Sequence, residues 1–291
     1  MHVYSIVVCY RPDVSQLLEL CQRLRADGSA IILVDNTEQP SLRDRQLLSG
    51  CQLITLGRNT GIAHAQNVGT AAATVAGADV IAFFDQDSTI EPGLLRTLVG
   101  SLTIGVPEIV APLYRDDVSE ADLPSRRVNR YGMTRAVHRG DSSSPYSVDV
   151  VISSGTVATK EVFEVAGTFD EGLFIDFVDT EWCLRCRSKQ VPIRVVPSAV
   201  MRHRIGGKSI NLGFATLFVH SPLRCYYQLR NCFHLFRKGH IPFLFALRET
   251  VSVFLSRALL LLFVGDRSTY VKAYFCALRD GAKGVMGARP A

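Results

Sequence analysis

Short apolar runs alternate with helix-like spacing along the first part of the chain. Apolar residues recur every three or four positions between residues 14 and 25, which predicts a helix. Runs rich in Val, Ile, Leu and Phe predict buried strands at residues 5–10, 30–34, 51–56 and 80–85. This alternation of strand and helix favours an α/β fold of Rossmann-like type, with a mostly parallel central sheet flanked by helices.

An Asp-Gln-Asp sequence ends the fourth run, at Asp85, Gln86 and Asp87. Residues i and i+2 of an extended chain point to the same side, so the two carboxylates should face one point. Two hard oxygen ligands there suit Mg²⁺ or Mn²⁺ carrying phosphate oxygens. Asp and Ser after a strand are also common turn formers, so the motif alone leaves both interpretations open.

Polar residues follow two other predicted strands as well. Asp35 and Asn36 close the second strand, and Arg58 and Asn59 follow the third. Functional groups of open α/β sheets cluster beyond the carboxyl ends of the strands. This placement favours a ligand site that includes the Asp-Gln-Asp sequence.

Residues 57–69 lead from the third strand into an alanine-rich helix. Gly61 can allow a tight turn, Asn59 or Thr60 can cap the helix, and its free backbone amides can contact an anion. The spacing is not that of a Walker loop or of a dinucleotide-binding loop. Nucleotide contact and simple close packing on the sheet explain this segment equally well.

The pattern becomes less regular in the middle of the chain. Pro92 should open a helix that runs to Leu102, and residues 160–166 should form another. Strands are predicted at residues 109–113 and 148–152, separated by a long, polar and irregular segment. A further strand at residues 191–197 precedes His203, which stands among basic residues.

Acidic and aromatic residues are mixed in residues 167–187, where a helix should begin near Asp179. Asp179 would then be a helix cap, and Glu181 would be a first-turn residue whose negative charge interacts favourably with the positive end of the helix dipole. Carboxylates among aromatic residues can also have raised proton affinity, which a general base needs. Both interpretations remain open at this point.

Composition narrows the class of protein. Hydrophobic residues make up 47% of the 291 residues, enough for a large core, and the net charge of +5 is modest. Basic residues are concentrated in the last third, which indicates an anionic neighbour. The eight cysteines are expected to be reduced thiols of a cytoplasmic protein, with Cys183 and Cys186 in a helical core rather than at a zinc site. No signal peptide is recognisable at the start of the chain.

The last part of the chain, residues 211–291, is predicted to be a separate helical region after a first domain of residues 1–210. Residues 241–264 are strongly apolar, but Arg248, Glu249 and Arg257 disfavour a membrane-spanning helix. A helix lying at the inner face of the cell membrane is one interpretation. A buried helical bundle or a homodimer contact is the other.

Seven motifs in order resemble the inverting nucleotide-sugar glycosyltransferases of family 2, which have the GT-A fold, and most closely their rhamnosyltransferase branch. They cover about three quarters of the chain. Residues 221–231 also resemble a helix of that branch. The motifs are at residues 6–12, 33–36, 57–67, 84–87, 153–155 and 174–185, and at His203.

The resemblance implies a role for each matching residue. Asp35 would bind the pyrimidine base, and Asp85 would lie near the ribose. Asp87 and His203, with Asp85 beside them, would hold Mg²⁺ or Mn²⁺ on the diphosphate. The other residues expected to contact the nucleotide sugar are Tyr10, Arg11, Asn36, Arg58, Asn59, Gly61, Gln66, Gln86, Ser154 and Gly155.

The same resemblance identifies a catalytic base. Asp179 matches the second residue of the family's Glu-Asp pair, whereas Val178 departs from the first. Glu181 matches the acid that follows and is a second catalytic candidate. Asp176 lies about one helical turn before Asp179 and is therefore a rival base.

The implied reaction is transfer of L-rhamnose, with inversion, from dTDP-β-L-rhamnose to a growing and lipid-linked surface polysaccharide such as an O-antigen of lipopolysaccharide. Galactofuranose, glucose and N-acetylglucosamine are alternative donor sugars. A non-catalytic nucleotide-sugar binding or scaffold protein is the alternative from another class. Nucleic acid is excluded as a partner, because the basic tail is interleaved with aliphatic runs rather than aromatic platforms.

Overall fold

The computed structural model describes residues 1–39, 42, 49–117, 120–139, 144–203, 209–211 and 216–290, except for the side chains of residues 203, 209, 211 and 216. The strands are β1 (Val3–Cys9), β2 (Ala30–Asp35), β3 (Cys51–Thr55), β4 (Val80–Asp85), β5 (Thr89–Ile90), β6 (Ile109–Asp116), β7 (Ser125–Val128), β8 (Thr134–Val137), β9 (Tyr146–Val148), β10 (Val157–Thr159), β11 (Ile193–His203), β12 (Ser209–Asn211) and β13 (Thr216–Phe218). The helices are α1 (Val14–Ala26), α2 (Ile62–Val75), α3 (Leu94–Val99), α4 (Lys160–Ala166), α5 (Val178–Ser188), α6 (Pro222–Leu235), α7 (Phe243–Leu260) and α8 (Arg267–Lys283), with a 3-10 turn at Glu171–Leu173.

The central sheet has the order β3-β2-β1-β4-β10-β6-β11-β5, and β9 also pairs with β11. β1 is parallel to β2 and β4, and β2 is parallel to β3, as the strand-helix-strand pattern predicts. β10 runs antiparallel between β4 and β6, so the sheet is parallel on one side and mixed on the other. The predicted α/β class is confirmed.

Two hydrophobic cores cover the two faces of this sheet. Ile6 and Phe83 belong to one core, and their neighbours Val7 and Phe84 belong to the other. Neighbouring residues of a strand point to opposite faces, so an uninterrupted apolar run is what a strand buried on both sides requires. The second core includes α1, which begins where the Asp13 carboxylate accepts hydrogen bonds from the backbone amides of Ser15 and Gln16.

Several predicted boundaries are wrong. α3 begins after Gly93 rather than at Pro92 and ends at Val99. The segment between residues 114 and 147 is not wholly irregular, because β6 extends to Asp116 and β7 pairs with β8 in a hairpin. Exposed arginines occupy this hairpin, so the apolar alternation that marks a strand is missing from its sequence. β9 begins two residues before the predicted strand, and β10 is too short to show a pattern.

The helices α6, α7 and α8 pack against one another and against the sheet region. The Tyr226 hydroxyl of α6 donates to Asp280 of α8 at 2.8 Å. The Tyr227 ring stacks on Phe174 with ring centres 4.5 Å apart. Among the residues described, no helix is long and apolar enough to cross a membrane. All eight cysteines are free thiols, and Cys183 and Cys186 are buried in the core.

Candidate active site

A cavity of about 450 Å³ lies at the carboxyl ends of the central strands. Asp85 is the last residue of β4, and Tyr10 directly follows β1. Half of the predicted nucleotide-contacting residues thus meet at one edge of the sheet, as expected for an open α/β fold. The predicted residues that line the cavity are Tyr10, Asn36, Asn59, Gly61, Asp85, Gln86 and Asp87.

The Gln86 side chain ties the ends of β1 and β4 together. The Tyr10 backbone amide donates to Gln86 Oε1 at 2.6 Å, and Gln86 Nε2 donates to the Tyr10 carbonyl at 3.1 Å. This pairing satisfies backbone groups that leave the sheet ladder at this point. It therefore orders the part of the chain that carries the two carboxylates.

Asn36 and Asn59 organise the entry to α2. Asn36 Oδ1 accepts from the Thr60 amide at 2.8 Å, and Asn59 Oδ1 accepts from the Gly61 amide at 3.0 Å. Neither Asn59 nor Thr60 is the N-cap, because Gly61 occupies that position without a side-chain hydrogen bond. The predicted capping residues instead shape the loop that precedes the helix.

Gly61 fits closely against Phe174. Its φ is +87°, and a Cβ at this position would lie 2.6 Å from the Phe174 carbonyl oxygen. That carbonyl accepts from the Ile62 amide at 2.8 Å. A side chain at residue 61 would strain the backbone and displace Phe174, so the tight turn predicted for Gly61 also brings a distant segment to the cavity.

Asp85 is held beside Ser154. The Asp85 amide donates to the Ser154 hydroxyl oxygen at 3.1 Å, and this hydroxyl lies 2.8 Å from that of Ser88. Burial, followed by the negative charges of Asp87 and Asp179, raises the pKa of Asp85 to about 6. Gly155, with φ +84°, packs so closely on Met201 and Pro112 that a Cβ would lie 2.8 Å from each. Ser154 therefore holds the backbone of Asp85, and Gly155 allows this loop to pack closely on the sheet.

Asp179 and Asp176 have different surroundings. Asp179 is the second residue of α5, whose N-cap is Phe177, so Asp179 is not the cap. Burial, followed by the charge of Asp176, raises the pKa of Asp179. Asp176 is paired with the Arg224 guanidinium, whose Nη2 lies 3.0 Å from Asp176 Oδ1. Of the two candidate bases, only Asp179 is left without a cationic partner among the residues described.

A second cavity, of about 300 Å³, has Asp179 in its lining. Tyr114 and Thr180 contribute to the same lining, together with Ser125 and Arg126 of the β7–β8 hairpin. The Tyr114 hydroxyl donates to the Ser154 carbonyl at 2.8 Å, which connects this cavity to the loop behind Asp85. Asp179 is thus accessible from one cavity and close enough to Asp85 of the other to raise its pKa.

The helix α6 completes the first cavity. Arg224, Leu223 and Tyr227 line it, and Arg224 bears the only cationic side chain among its described lining residues. None of these three is among the site residues predicted from the sequence. Arg224 is one of many basic residues in the last third of the chain, and its position within the motif of residues 221–231 is the only signal that distinguishes it.

The same helix fixes the backbone that carries the acids. Asn231 Nδ2 donates to the carbonyls of Leu173, Ile175 and Asp176, at 3.0, 2.9 and 3.0 Å. Arg230 Nη2 also donates to the Leu173 carbonyl, at 2.9 Å. Non-glycine residues in this segment adopt the left-handed region, with φ of +63° at Asp176. Such a backbone persists only where its surroundings hold it.

Several predicted site residues lie outside the first cavity. Asp35 is fully buried and accepts from the Thr37 amide at 3.1 Å, and Gln66 is buried within α2. The Arg11 guanidinium pairs with Glu38 at 3.3 Å, and Arg58 lines a separate cavity. The structure therefore places these four residues around the site rather than at its surface.

Glu181 also lies away from both cavities. It is buried and surrounded by Arg185 at 2.9 Å, His240 at 2.8 Å and Lys238 at 3.9 Å. Burial opposes its ionisation, but the His240 ring beside it and the hydrogen-bonded Arg185 guanidinium outweigh burial and lower its pKa to about 2. A carboxylate so tightly paired is a poor proton acceptor, so its contacts contradict the predicted catalytic role and indicate a structural one.

A divalent cation fits the chemistry of Asp85 and Asp87. Both carboxylates line the cavity, and the mutual repulsion that raises the pKa of Asp85 would be relieved by a bound cation. The described residues contain no group of three or more His, Cys, Asp or Glu side chains arranged to hold a metal ion. The side chain of His203, the predicted third ligand, lies outside the described part of the chain.

Comparison with known families decides the classification. The model of the family described as "Glycosyl transferase family 2" matches residues 5–165, which is more than half of the chain. The chain belongs to this family. The predicted glycosyltransferase class is confirmed, and the matched residues include most of β1, all of β4 and most of the first cavity.

Similarity to individual proteins extends further along the chain. The chain is 36% identical over 287 residues to "dTDP-rhamnosyl transferase RfbF" of Shigella flexneri, covering 98% of this chain and 97% of that protein. It is 28% identical to the "Pre-mycofactocin glycosyltransferase" of Mycobacterium tuberculosis, covering 68% of this chain and 42% of that protein. The first of these similarities includes the helices α6 to α8.

Solved structures confirm the GT-A fold. A crystal structure of GalNAc-T7 with UDP, GalNAc and Mn²⁺ has a TM-score of 0.58 at 14% identity, covering 70% of this chain and 44% of that one. A structure of S. aureus TarS with UDP-GlcNAc has a TM-score of 0.57 at 13% identity, covering 98% of this chain and 82% of that one. At these identities the similarity concerns the fold alone.

Proposed function

We propose that this family 2 glycosyltransferase moves L-rhamnose from dTDP-β-L-rhamnose to a hydroxyl of a growing, lipid-linked surface polysaccharide and inverts the anomeric centre. The donor is supported by the 36% identity, over nearly the whole chain, to a dTDP-rhamnosyl transferase. The proposed chemistry rests on the position of Asp179. This residue lines one cavity, and its negative charge raises the pKa of Asp85 in the other.

The two cavities divide the reaction between donor and acceptor. The donor occupies the first cavity, where Asn36, Asn59 and Gln86 offer hydrogen-bonding groups near the nucleotide. Its diphosphate lies near Asp85, Asp87 and Arg224. The acceptor hydroxyl approaches from the second cavity, next to Asp179.

Proton transfer is assigned to Asp179. Its carboxylate takes the proton of the acceptor hydroxyl as the oxygen attacks the anomeric carbon, and the bond from that carbon to the phosphate oxygen breaks on the opposite side. A single in-line displacement inverts the anomeric centre and gives an α-L-rhamnoside. The raised pKa of Asp179 makes its carboxylate a stronger base than a surface aspartate.

The leaving diphosphate needs positive charge. Mg²⁺ or Mn²⁺ held by Asp85 and Asp87, with His203 as the predicted third ligand, would stabilise the charge that develops on it. Arg224 adds a cationic side chain to the same cavity. We therefore propose metal-dependent activity in which Arg224 shares the charge neutralisation.

The region of residues 1–210 is proposed to hold the donor and the catalytic base, and residues 211–291 to complete the cavity and to contact the membrane. A lipid-linked acceptor places the enzyme at the inner face of the cell membrane. The apolar and partly exposed helix α7 supports such a peripheral contact.

Titration calorimetry against a panel of nucleotide sugars tests the donor. With Mg²⁺ or Mn²⁺ present, dTDP-L-rhamnose should bind at least about tenfold more tightly than UDP-glucose, UDP-N-acetylglucosamine or UDP-galactofuranose, a difference of about 1.4 kcal/mol. Tighter binding of one of the UDP-sugars would replace the proposed donor. Absence of binding by the whole panel would instead favour a non-catalytic role.

A further inference from the structure

The β7–β8 hairpin carries a concentration of positive charge. Residues 125–139 contain five arginines and a histidine and no acidic residue. All five arginines are exposed. We call residues 125–139 the basic hairpin; its arginines are Arg126, Arg127, Arg130, Arg135 and Arg139.

Two of these arginines stand opposite each other. Arg127 of β7 pairs with Arg135 of β8 in the antiparallel register, so their side chains share one face of the ribbon. In the part of the chain that is described, no carboxylate lies within ion-pairing distance of Arg127, Arg130 or Arg135. Like charges directly opposite each other destabilise a strand pair, and a bound anion would relieve the repulsion.

The turn of the basic hairpin also exposes two large apolar side chains. Tyr131 and Met133 are 56% and 54% exposed. Gly132 between them packs on the start of α7, where a Cβ would lie 2.5 Å from the Phe245 backbone nitrogen. The tip of the basic hairpin and the first turn of α7 are therefore next to each other.

An exposed apolar stripe continues from that contact along α7. Phe243, Leu247, Val251 and Leu255 are spaced by four residues, which places them on one side of the helix. Phe243 is 67% exposed and Leu255 is 61% exposed. We call these four residues the α7 stripe.

We propose that the basic hairpin and the α7 stripe form one docking surface for a bilayer of anionic phospholipids. Arginines near an anionic bilayer are attracted to the lipid phosphates, and apolar side chains enter the boundary of the acyl chains. A nucleic acid would leave the α7 stripe exposed, and a second copy of the chain would need an acidic surface opposite the basic hairpin. The anionic bilayer matches both the charge and the apolar stripe.

The docking surface adjoins the proposed acceptor cavity. Ser125 and Arg126 belong to the basic hairpin and also line the cavity that contains Asp179. Docking would bring the mouth of this cavity to the level of the lipid phosphates, where a lipid-linked glycan begins. This inference rests on the proposed function for its biological sense, but the binding of lipid can be measured without any acceptor.

Flotation of the purified full chain with vesicles tests the proposal. Vesicles of neutral phosphatidylcholine are compared with vesicles that also contain phosphatidylglycerol. The chain should bind the anionic vesicles, and the triple variant Arg127→Gln, Arg130→Gln, Arg135→Gln should bind them about 100-fold more weakly, because each arginine near the surface contributes about 1 kcal/mol. The double variant Phe243→Ser, Leu247→Ser should also lose binding, since apolar insertion and charge act together.

A charge-matched control separates local from general electrostatics. The variant Arg23→Gln, Arg96→Gln, Lys189→Gln removes the same charge from α1, α3 and the end of α5. It should bind anionic vesicles like the unmodified chain. Equal losses in both triple variants, or undiminished binding of the hairpin variant, would overturn the proposal.

Two further measurements test whether the surface is instead a dimer contact and whether the donor site is intact. Size-exclusion chromatography without lipid should give the same elution for the unmodified chain and the hairpin variant; dissociation of a dimer by the substitutions would assign the surface to a second copy. Donor calorimetry with the hairpin variant should give unchanged affinity. If the unmodified chain binds the vesicles but no nucleotide sugar, the proposed function fails and the docking surface stands.

Discussion

The Arg224 guanidinium forms a forked ion pair with the Asp176 carboxylate: Nη2 lies 3.0 Å from Oδ1, and Nε lies 3.2 Å from both oxygens. This pair joins α6 to the segment before α5, 48 residues earlier in the chain. The pair engages Asp176, the rival base, and places a cation in the cavity that Asp85 and Asp87 also line. The arrangement gives Asp176 a cationic partner that Asp179 lacks among the residues described.

Replacement of Arg224 should weaken donor binding. In Arg224→Gln the cavity loses its cationic side chain, and the pKa of Asp85 should rise further, because Arg224 lowers it in the intact protein. We expect the Kd of the donor to increase at least about tenfold, consistent with about 1.5–3 kcal/mol for a charge-assisted hydrogen bond. Arg224→Lys keeps the positive charge but cannot form the two-pronged contact of a guanidinium. Its Kd for the donor should therefore lie between those of the unmodified protein and Arg224→Gln. Calorimetry that gives the same Kd for all three proteins would exclude this role.

Asp179→Asn and Asp176→Asn distinguish the two candidate bases. Asp179→Asn should bind the donor normally and transfer sugar at least about 100-fold more slowly, as expected for loss of a general base. Asp176→Asn should retain more activity, since its carboxylate is already paired with Arg224. Single-turnover rates provide the comparison, and the reverse order would make Asp176 the base.

The pH dependence of sugar transfer should follow the ionisation of Asp179. The base must be ionised, so kcat/KM should fall as the pH drops through the pKa of Asp179. Burial raises this pKa, which moves the acidic limb above the value of about 3.9 for an ordinary aspartate. A pH profile of the intact enzyme should show this limb, and an acidic limb at or below the ordinary value would contradict the assignment.

Asp87→Asn should remove the dependence of donor binding on divalent cations. The intact protein should bind the donor more tightly with Mg²⁺ or Mn²⁺ than with a chelator, and the variant should bind equally under both conditions. Glu91→Gln is the matched control, because it removes a nearby exposed carboxylate that does not line the cavity. A full metal effect in Asp87→Asn would show that Asp87 is not a ligand.

Glu181→Gln should reduce stability rather than catalysis. A carboxylate whose pKa falls from 4.5 to about 2 on folding contributes on the order of 3 kcal/mol to stability. This contribution is complete above pH 4.5 and is lost as the pH falls from there towards 2. Urea unfolding should therefore show a large difference between variant and parent at pH 7 that narrows in acid. A loss of turnover with unchanged stability would restore the predicted catalytic role.

Local sequence pattern is enough to predict the core of the sheet and the acids at its edge. β1, β2, β3 and β4 are buried apolar runs, and such runs have few alternatives to a strand covered on both faces. Because parallel strands end at a common edge, the positions of Asp85 and Asp87 follow from the order of the elements. The helix α4 was also predictable, with its boundaries at Lys160–Ala166.

Other features depend on contacts between distant parts of the chain. Glu181 has the sequence position of a catalytic acid, yet His240 and Lys238 approach it from beyond α6 and make it an ion-paired core residue. Asp35 has the position of a ligand-binding residue, yet it is fully buried. Neither outcome can be read from the residues around these acids, since side-chain environment depends on which segments pack together.

The sequence by itself determined the family, the α/β class and the acidic residues at the carboxyl edge of the sheet, because these depend on periodicity and on short motifs. The tertiary structure decided how the site is completed. Arg224 and Asn231 reach the acids from α6, and the basic hairpin lies beside Asp179 and the start of α7. Contacts of this kind arise from the packing of whole elements, and the local order of residues does not specify which elements meet.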